Sequence, residues 1–159
     1  MAVNNWLTGG LDWLPLLNGA EDTYGIPRNL LARIAFQECS WRPEVINCTV
    51  KSPAGAVGMM QLMPKYFPNA GVSIANDIHL AAGLLAALHA RFGDWQLAVA
   101  AYNWGGGNVH HEMAADGVPE LADMPLETQN YVRHVFQDVP IAGVLVDTPV
   151  DPAPASALV

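Results

Sequence analysis

Apolar residues recur at helical spacing along most of this chain, and the breaks between those stretches fall at proline and glycine. Between Met1 and Ala20, Trp6, Leu7, Leu11, Trp13, Leu14, Leu16 and Leu17 are interrupted by Gly9, Gly10 and Pro15, which predicts one or two short covering helices. Pro27 suits the first turn of a helix running to about Ser40, and Pro43 prevents its continuation. Pro43 to Ala56 reads as loop, with at most a small β-hairpin, and a short helix is predicted over Val57 to Leu62, stopped by Pro64. A long helix follows from about Ile74 to Phe92, with Leu80, Leu84, Leu85 and Leu88 on one face and Gly93 at its end. Asp94 can cap a helix over Trp95 to Tyr102, another covers Asn108 to Ala115, and Pro125 opens a last one over Leu126 to Asp138 with Tyr131, Val132 and Val135 inward. From Pro140 the composition turns to Pro, Ala and Val and reads as an extended tail. The expectation is a mainly α chain, one domain over residues 1–139 with a tail over 140–159, and no internal repeats.

One polar residue disturbs this pattern. Leu31, Ile34, Ala35 and Glu38 are spaced i, i+3, i+4, i+7, so Glu38 points the same way as core residues. A carboxyl there loses hydration, which disfavours its charged form and suits it to general acid work near neutral pH. The alternative is a Glu that snorkels to the rim or pairs with an arginine.

Composition narrows the partners. With 159 residues the chain is large enough to bury a core without staples, and 52% hydrophobic against 14% charged residues argues for a well-buried body. A net charge of −8 excludes the basic footprint that nucleic acid requires, and leaves neutral or sugar-like ligands compatible. The apolar stretches Ile78 to Ala90 and Trp95 to Tyr102 stop short of membrane-spanning length, so no membrane insertion is expected. No Lys or Arg precedes Arg28, so the start of the chain does not read as a secretory signal. Cys39 and Cys48 make neither a disulfide framework nor a metal site; they read as two free thiols or as one local bridge beside Glu38.

Three further segments carry polar groups where a plain core would not. In Ser52-Pro-Ala-Gly-Ala-Val-Gly-Met-Met-Gln-Leu-Met-Pro64, Gly55 and Gly58 permit close backbone approach, and Gln61 sits among three methionines. A buried amide needs partners, and a wall offering an amide beside apolar surface suits a sugar ring. Ala101-Tyr-Asn-Trp-Gly105 ends a helix with three residues able to stack on or bond a carbohydrate, and Glu127, Thr128 and Tyr131 open the last helix. Each also has a plain structural reading as core aromatic, C-cap or dipole carboxylate. His111-Glu112 does not make a zinc peptidase motif, because the second histidine would fall at Ala115. Gly105 to Gly107 lacks the Lys-Ser/Thr that a phosphate loop needs, and the histidines at 79, 89, 110, 111 and 134 show no ligand spacing.

In order, Glu38-Cys-Ser-Trp41, Gly55-Ala-Val-Gly-Met-Met-Gln61, Ala101-Tyr-Asn-Trp-Gly105 and Glu127-Thr-Gln-Asn-Tyr-Val132 resemble the soluble lytic transglycosylase family, relatives of goose-type lysozyme in the lysozyme-like superfamily. The resemblance covers about Pro27 to Val135. It implies a lysozyme-like fold, Glu38 as catalytic acid and then base, and Ser52 on the substrate's acetamido group. It further implies Gln61 and Met63 as groove lining, and Tyr102, Asn103, Glu127 and Tyr131 around the reacting sugar. The substrate implied is the β-1,4 bond between N-acetylmuramic acid and N-acetylglucosamine in peptidoglycan glycan strands, cleaved by a monomer to a 1,6-anhydro product with no cofactor and no metal.

The chain departs from the family pattern at Cys39, at the stretch Ile46 to Lys51, at Met59 and at Trp104-Gly-Gly-Gly107; the last resembles versions associated with bacteriophage enzymes. A phage lysin (endolysin), a virion component and a bacterial wall-remodelling enzyme all fit. The rivals are a lysozyme-type muramidase, with Glu44 or Glu127 positioning water, and a catalytically weak glycan-binding module of a phage particle.

Overall fold

The punctuation in the sequence becomes helix ends in a computed structural model, which describes residues 5–117 and 119–137, with the backbone alone at Asn5 and 114–116. The helices are α1 (Asn5–Gly10), α2 (Leu14–Tyr24), α3 (Leu30–Cys39), α4 (Pro43–Ile46), α5 (Ile74–Phe92), α6 (Trp95–Trp104), α7 (Gly106–Asp116) and α8 (Leu126–Phe136), with a 3₁₀ turn at Leu121–Asp123. The only β feature among the described residues is an isolated antiparallel bridge between Val57 and Leu62. The tail expected over 140–159 lies outside the described residues. No described helix is long and apolar enough to cross a membrane.

The chain divides into two compact units, with the boundary between Gly83 and Leu84, inside α5. In the first, α1 and α2 pack on α3, and Leu17, Leu30, Leu31, Ile34, Val45, Met59, Met60 and Ile78 are fully buried. In the second, α6 packs on α7 and α8, and Leu85, Val99, Val109, Val135 and Phe136 are buried. The inward set expected on α8 is found: Tyr131, Val132 and Val135 are all buried.

The bounds of α5 match the periodicity, and its stop has the expected cause. Gly93 adopts φ 74° and donates its N–H to His89 O at 2.7 Å. Asp94 caps α6 as anticipated, its Oδ1 accepting from Leu97 N at 2.9 Å.

Three local expectations are corrected. Pro27 lies in the turn before α3, its carbonyl accepting from Leu30 N at 3.2 Å, so the helix starts at Leu30. Pro43 opens a short helix of its own, α4, in the stretch read as loop. Residues 57–62 form a bridged turn in place of a helix: Val57 N donates to Leu62 O at 2.9 Å, and Leu62 N to Val57 O at 3.1 Å. Positive φ at Gly58 (76°) and at Gln61 (49°) breaks the helical path.

Candidate active site

Helix α3 is held by a face of buried apolar residues, and the candidate acid stands on that face at the far end. Leu31, Ile34 and Ala35 have no exposed surface, and Glu38, on the same face in the last turn, is half-buried. Cys39 follows it, fully buried, with no disulfide to Cys48. Burial pushes the Cys39 thiol up to about 12, and the nearby Glu38 charge adds to the rise. Cys39 is therefore a thiol that packs, and the bridge considered from sequence is not formed.

The helix ends abruptly. Ser40 (φ 48°) and Trp41 (φ 55°) are consecutive left-handed residues, where glycine is the usual occupant, at a cost of about 1–3 kcal/mol each. The chain is held there by Ser40 N to Phe36 O and Arg42 N to Cys39 O, both 2.9 Å.

The start of α3 depends on a residue the sequence reading passed over. Asn29, at the N-cap with φ 68°, makes no side-chain cap. Glu21 of α2 takes its place, its carboxylate accepting Asn29 N at 2.9 Å and Leu31 N at 3.0 Å. Glu21 is only 1% exposed, and Arg28 Nη1 stands 3.8 Å from it at the rim. Burial raises its pKa from 4.5 to about 7, against the lowering effect of the two N–H donors. The signal was present: Leu17, Ala20 and Glu21 are spaced i, i+3, i+4, the rule that singled out Glu38.

Ser52, Gln61 and Met63 belong to the same unit and are all half-buried. The Ser52 hydroxyl accepts Ala56 N at 2.9 Å, closing the turn that leads into the glycine loop. Gln61 Nε2 donates to Gly58 O at 2.9 Å, so part of the amide's capacity goes to holding the loop. Met59 and Met60 pack inside while Met63 reaches partial exposure. Beneath the loop lies buried Asp77, whose Oδ1 accepts Gly71 N at 2.8 Å. A Cβ on Gly58 would come within 2.6 Å of Asp77 Oδ2. Burial raises the Asp77 pKa above the usual carboxylate value.

Tyr102, Asn103, Glu127 and Tyr131 fall in the second unit. Asn103 Oδ1 accepts the Thr128 hydroxyl at 3.0 Å, which ties the end of α6 to the first turn of α8. Thr128 is 1% exposed, Tyr131 is buried, Tyr102 and Asn103 are half-buried, and Glu127 is exposed on the opening turn of α8. Glu44 pairs with Arg42 through Nε at 2.8 Å, and that hydrogen bond holds its carboxyl below the usual value. Among the described residues, no group of three or more His, Cys, Asp or Glu could hold a metal ion.

The Transglycosylase SLT domain family model matches residues 15–122, more than half of the chain. The soluble lytic murein transglycosylase of Escherichia coli K12 is 32% identical over 132 residues, covering 70% of this chain and 20% of that protein. A transglycosylase of Enterobacteria phage PRD1 is 33% identical over 103 residues, covering 62% of this chain and 37% of that protein. The crystal structure of the 70 kDa soluble lytic transglycosylase from Escherichia coli superposes with a TM-score of 0.62 at 29% identity, over 78% of this chain and 23% of that one. The chain thus spans about a fifth of the bacterial relative and over a third of the phage relative. Together with the helical architecture, these matches show that the chain belongs to the transglycosylase SLT-domain family and has its lysozyme-like fold.

Proposed function

We propose that this chain is a lytic transglycosylase that cuts the β-1,4 bond between N-acetylmuramic acid and N-acetylglucosamine of peptidoglycan, with residues 1–139 as the catalytic region. The observation that carries the reading is Glu38, a half-buried carboxyl closing the apolar face of α3 within the span that the family model matches. Protonated Glu38 donates to the glycosidic oxygen as the bond to C1 breaks. The acetamido oxygen of the muramic sugar stabilises the developing cation. Glu38, now charged, takes the proton from the C6 hydroxyl as that oxygen bonds to C1, which gives a 1,6-anhydro product without net consumption of water.

In this reading Ser52 contacts the acetamido group, Gln61 and Met63 line the groove, and Tyr102, Asn103, Glu127 and Tyr131 surround the reacting sugar. A hydrolytic route needs a second carboxylate to position water. Glu44 is engaged by Arg42 and Glu127 stands exposed, which favours the route through the sugar's own groups. The substrate's location puts the site of action at the cell wall, as a phage lysin, a virion component or a wall-remodelling enzyme.

The test is to digest purified peptidoglycan and weigh the released muropeptides. Products one water lighter than reducing-end fragments are expected, and Glu38→Gln should lower turnover by roughly 10²–10⁴-fold in a folded protein. Reducing-end products would overturn the transglycosylase step, and an active Glu38→Gln would overturn the assignment of the acid.

A further inference from the structure

Helix α1 lies outside the residues that the family model matches, yet it grips the turn that follows Glu38. Trp41 Nε1 donates to Trp6 O at 3.0 Å. The indole ring lies over Gly9 and Gly10: a Cβ on Gly9 would stand 2.6 Å from Trp41 Cδ1, and one on Gly10 would collide with Trp41 Cζ2. Neither glycine has a positive φ, so backbone freedom does not account for them. What they supply is space. A six-residue helix is too short to hold itself, and two glycines weaken it further, so its shape comes from docking. Trp6 provides that dock: it is buried, with the Arg33 guanidinium 5.4 Å from the centre of its ring. Phe36 meets Trp41 on another side, ring centroids 6.1 Å apart.

Trp41 sits three residues after Glu38, in the left-handed pair that ends α3. That pair is not a conformation serine and tryptophan choose unaided, so surrounding contacts must hold it. Fraying of the last helical turn would carry Glu38 with it, and displacements of about 1 Å at a reacting group cost on the order of 10²-fold in rate.

We propose that α1 is a clamp on the catalytic turn, with Trp41 as a positioning residue for Glu38 and Gly10 as the seat for its ring. The inference rests on Glu38 being the acid.

Gly10→Ala separates the clamp from simple stability. Alanine is the better helix former, so the change should strengthen α1 except where its methyl meets the indole. On soluble glycan strands, Gly10→Ala in the full chain is expected to lower kcat at least tenfold with KM within twofold, at temperatures where the thermal midpoint shows it folded. Trp41→Leu should lower kcat similarly, and adding Gly10→Ala to it should cost nothing more. A Gly10→Ala kcat within twofold of wild type, or effects that multiply in the double variant, would overturn the clamp.

Amide exchange reads the clamp without catalysis. Exchange at Ser40 N–H and Arg42 N–H should quicken at least tenfold in Gly10→Ala, and unchanged protection there would also overturn the proposal. If the wild-type protein released no muropeptide, the functional reading would fail, while the exchange result would still decide whether α1 holds the turn.

Discussion

Glu21 Oε1 accepts the backbone N–H of Leu31 at 3.0 Å, so a carboxylate from α2 starts the helix that carries Glu38 in its last turn. Such a group satisfies orphan N–H donors and favours the helix dipole when charged, yet burial opposes the charge. Here burial wins, and the pKa lies near 7.

The sign of the pH effect follows. Between 4.5 and about 7 the folded chain keeps a proton on Glu21 that the unfolded chain has lost. The corresponding stability is complete below that window and is lost as pH rises through it. Thermal unfolding should show wild type losing on the order of 2–3 kcal/mol relative to Glu21→Gln between those limits. Parallel pH profiles for the two proteins would refute this.

Thr128→Val removes the hydroxyl that donates to Asn103 Oδ1. The expected result is a stability loss of about 1 kcal/mol and a fall of roughly tenfold in kcat/KM on glycan strands, because the Asn103 amide loses its orientation. Thr128→Ser keeps the donor and should restore most of the activity. Failure of Ser to do better than Val would mean that packing of the Thr methyl matters more.

Asp94→Ala should cost about 1 kcal/mol, lowering the thermal midpoint by roughly 2–4 °C, since Leu97 N loses its acceptor at the start of α6. Asp94→Asn should recover most of the loss. Differential scanning calorimetry decides it.

Gly55 and Gly58 both have positive φ, 91° and 76°, but only Gly58 has a neighbour in the way. Gly55→Ala should cost about 1–2 kcal/mol from backbone strain alone. Gly58→Ala should cost more, because its methyl collides with Asp77 Oδ2, against which the loop is packed. Equal losses in denaturant titrations would show that Asp77 yields without resistance.

Periodicity made the long elements legible. The residues of α5 repeat an apolar face over five turns between a clear start and Gly93, and Asp94 announces α6 by its chemistry. The turn at 57–62 was not legible, because Gln61 at φ 49° follows from the bridge between Val57 and Leu62 and not from any preference of glutamine. Four motifs in order point to the family, whereas Glu21, spaced after Leu17 and Ala20 as Glu38 is after its apolar face, sits in a Glu-Asp pair outside all of them. Burial of that pair's first member depends on where α3 begins, which Pro27 alone misplaces by three residues. The grip of α1 on Trp41 was equally hidden, since Gly9-Gly10 reads as a break until the ring is seen above it.

The glycine loop sorts its methionines by reach. Met59 and Met60 are sealed in the interior, while Met63 is partly open to solvent. Peroxide should therefore convert Met63 to its sulfoxide ahead of its two neighbours, placing a polar, chiral group in the proposed groove while leaving the packed interior intact. Oxidation would then alter the chemistry of the partly open face around Met63 before it loosened the core, and reduction of the sulfoxide would reverse it.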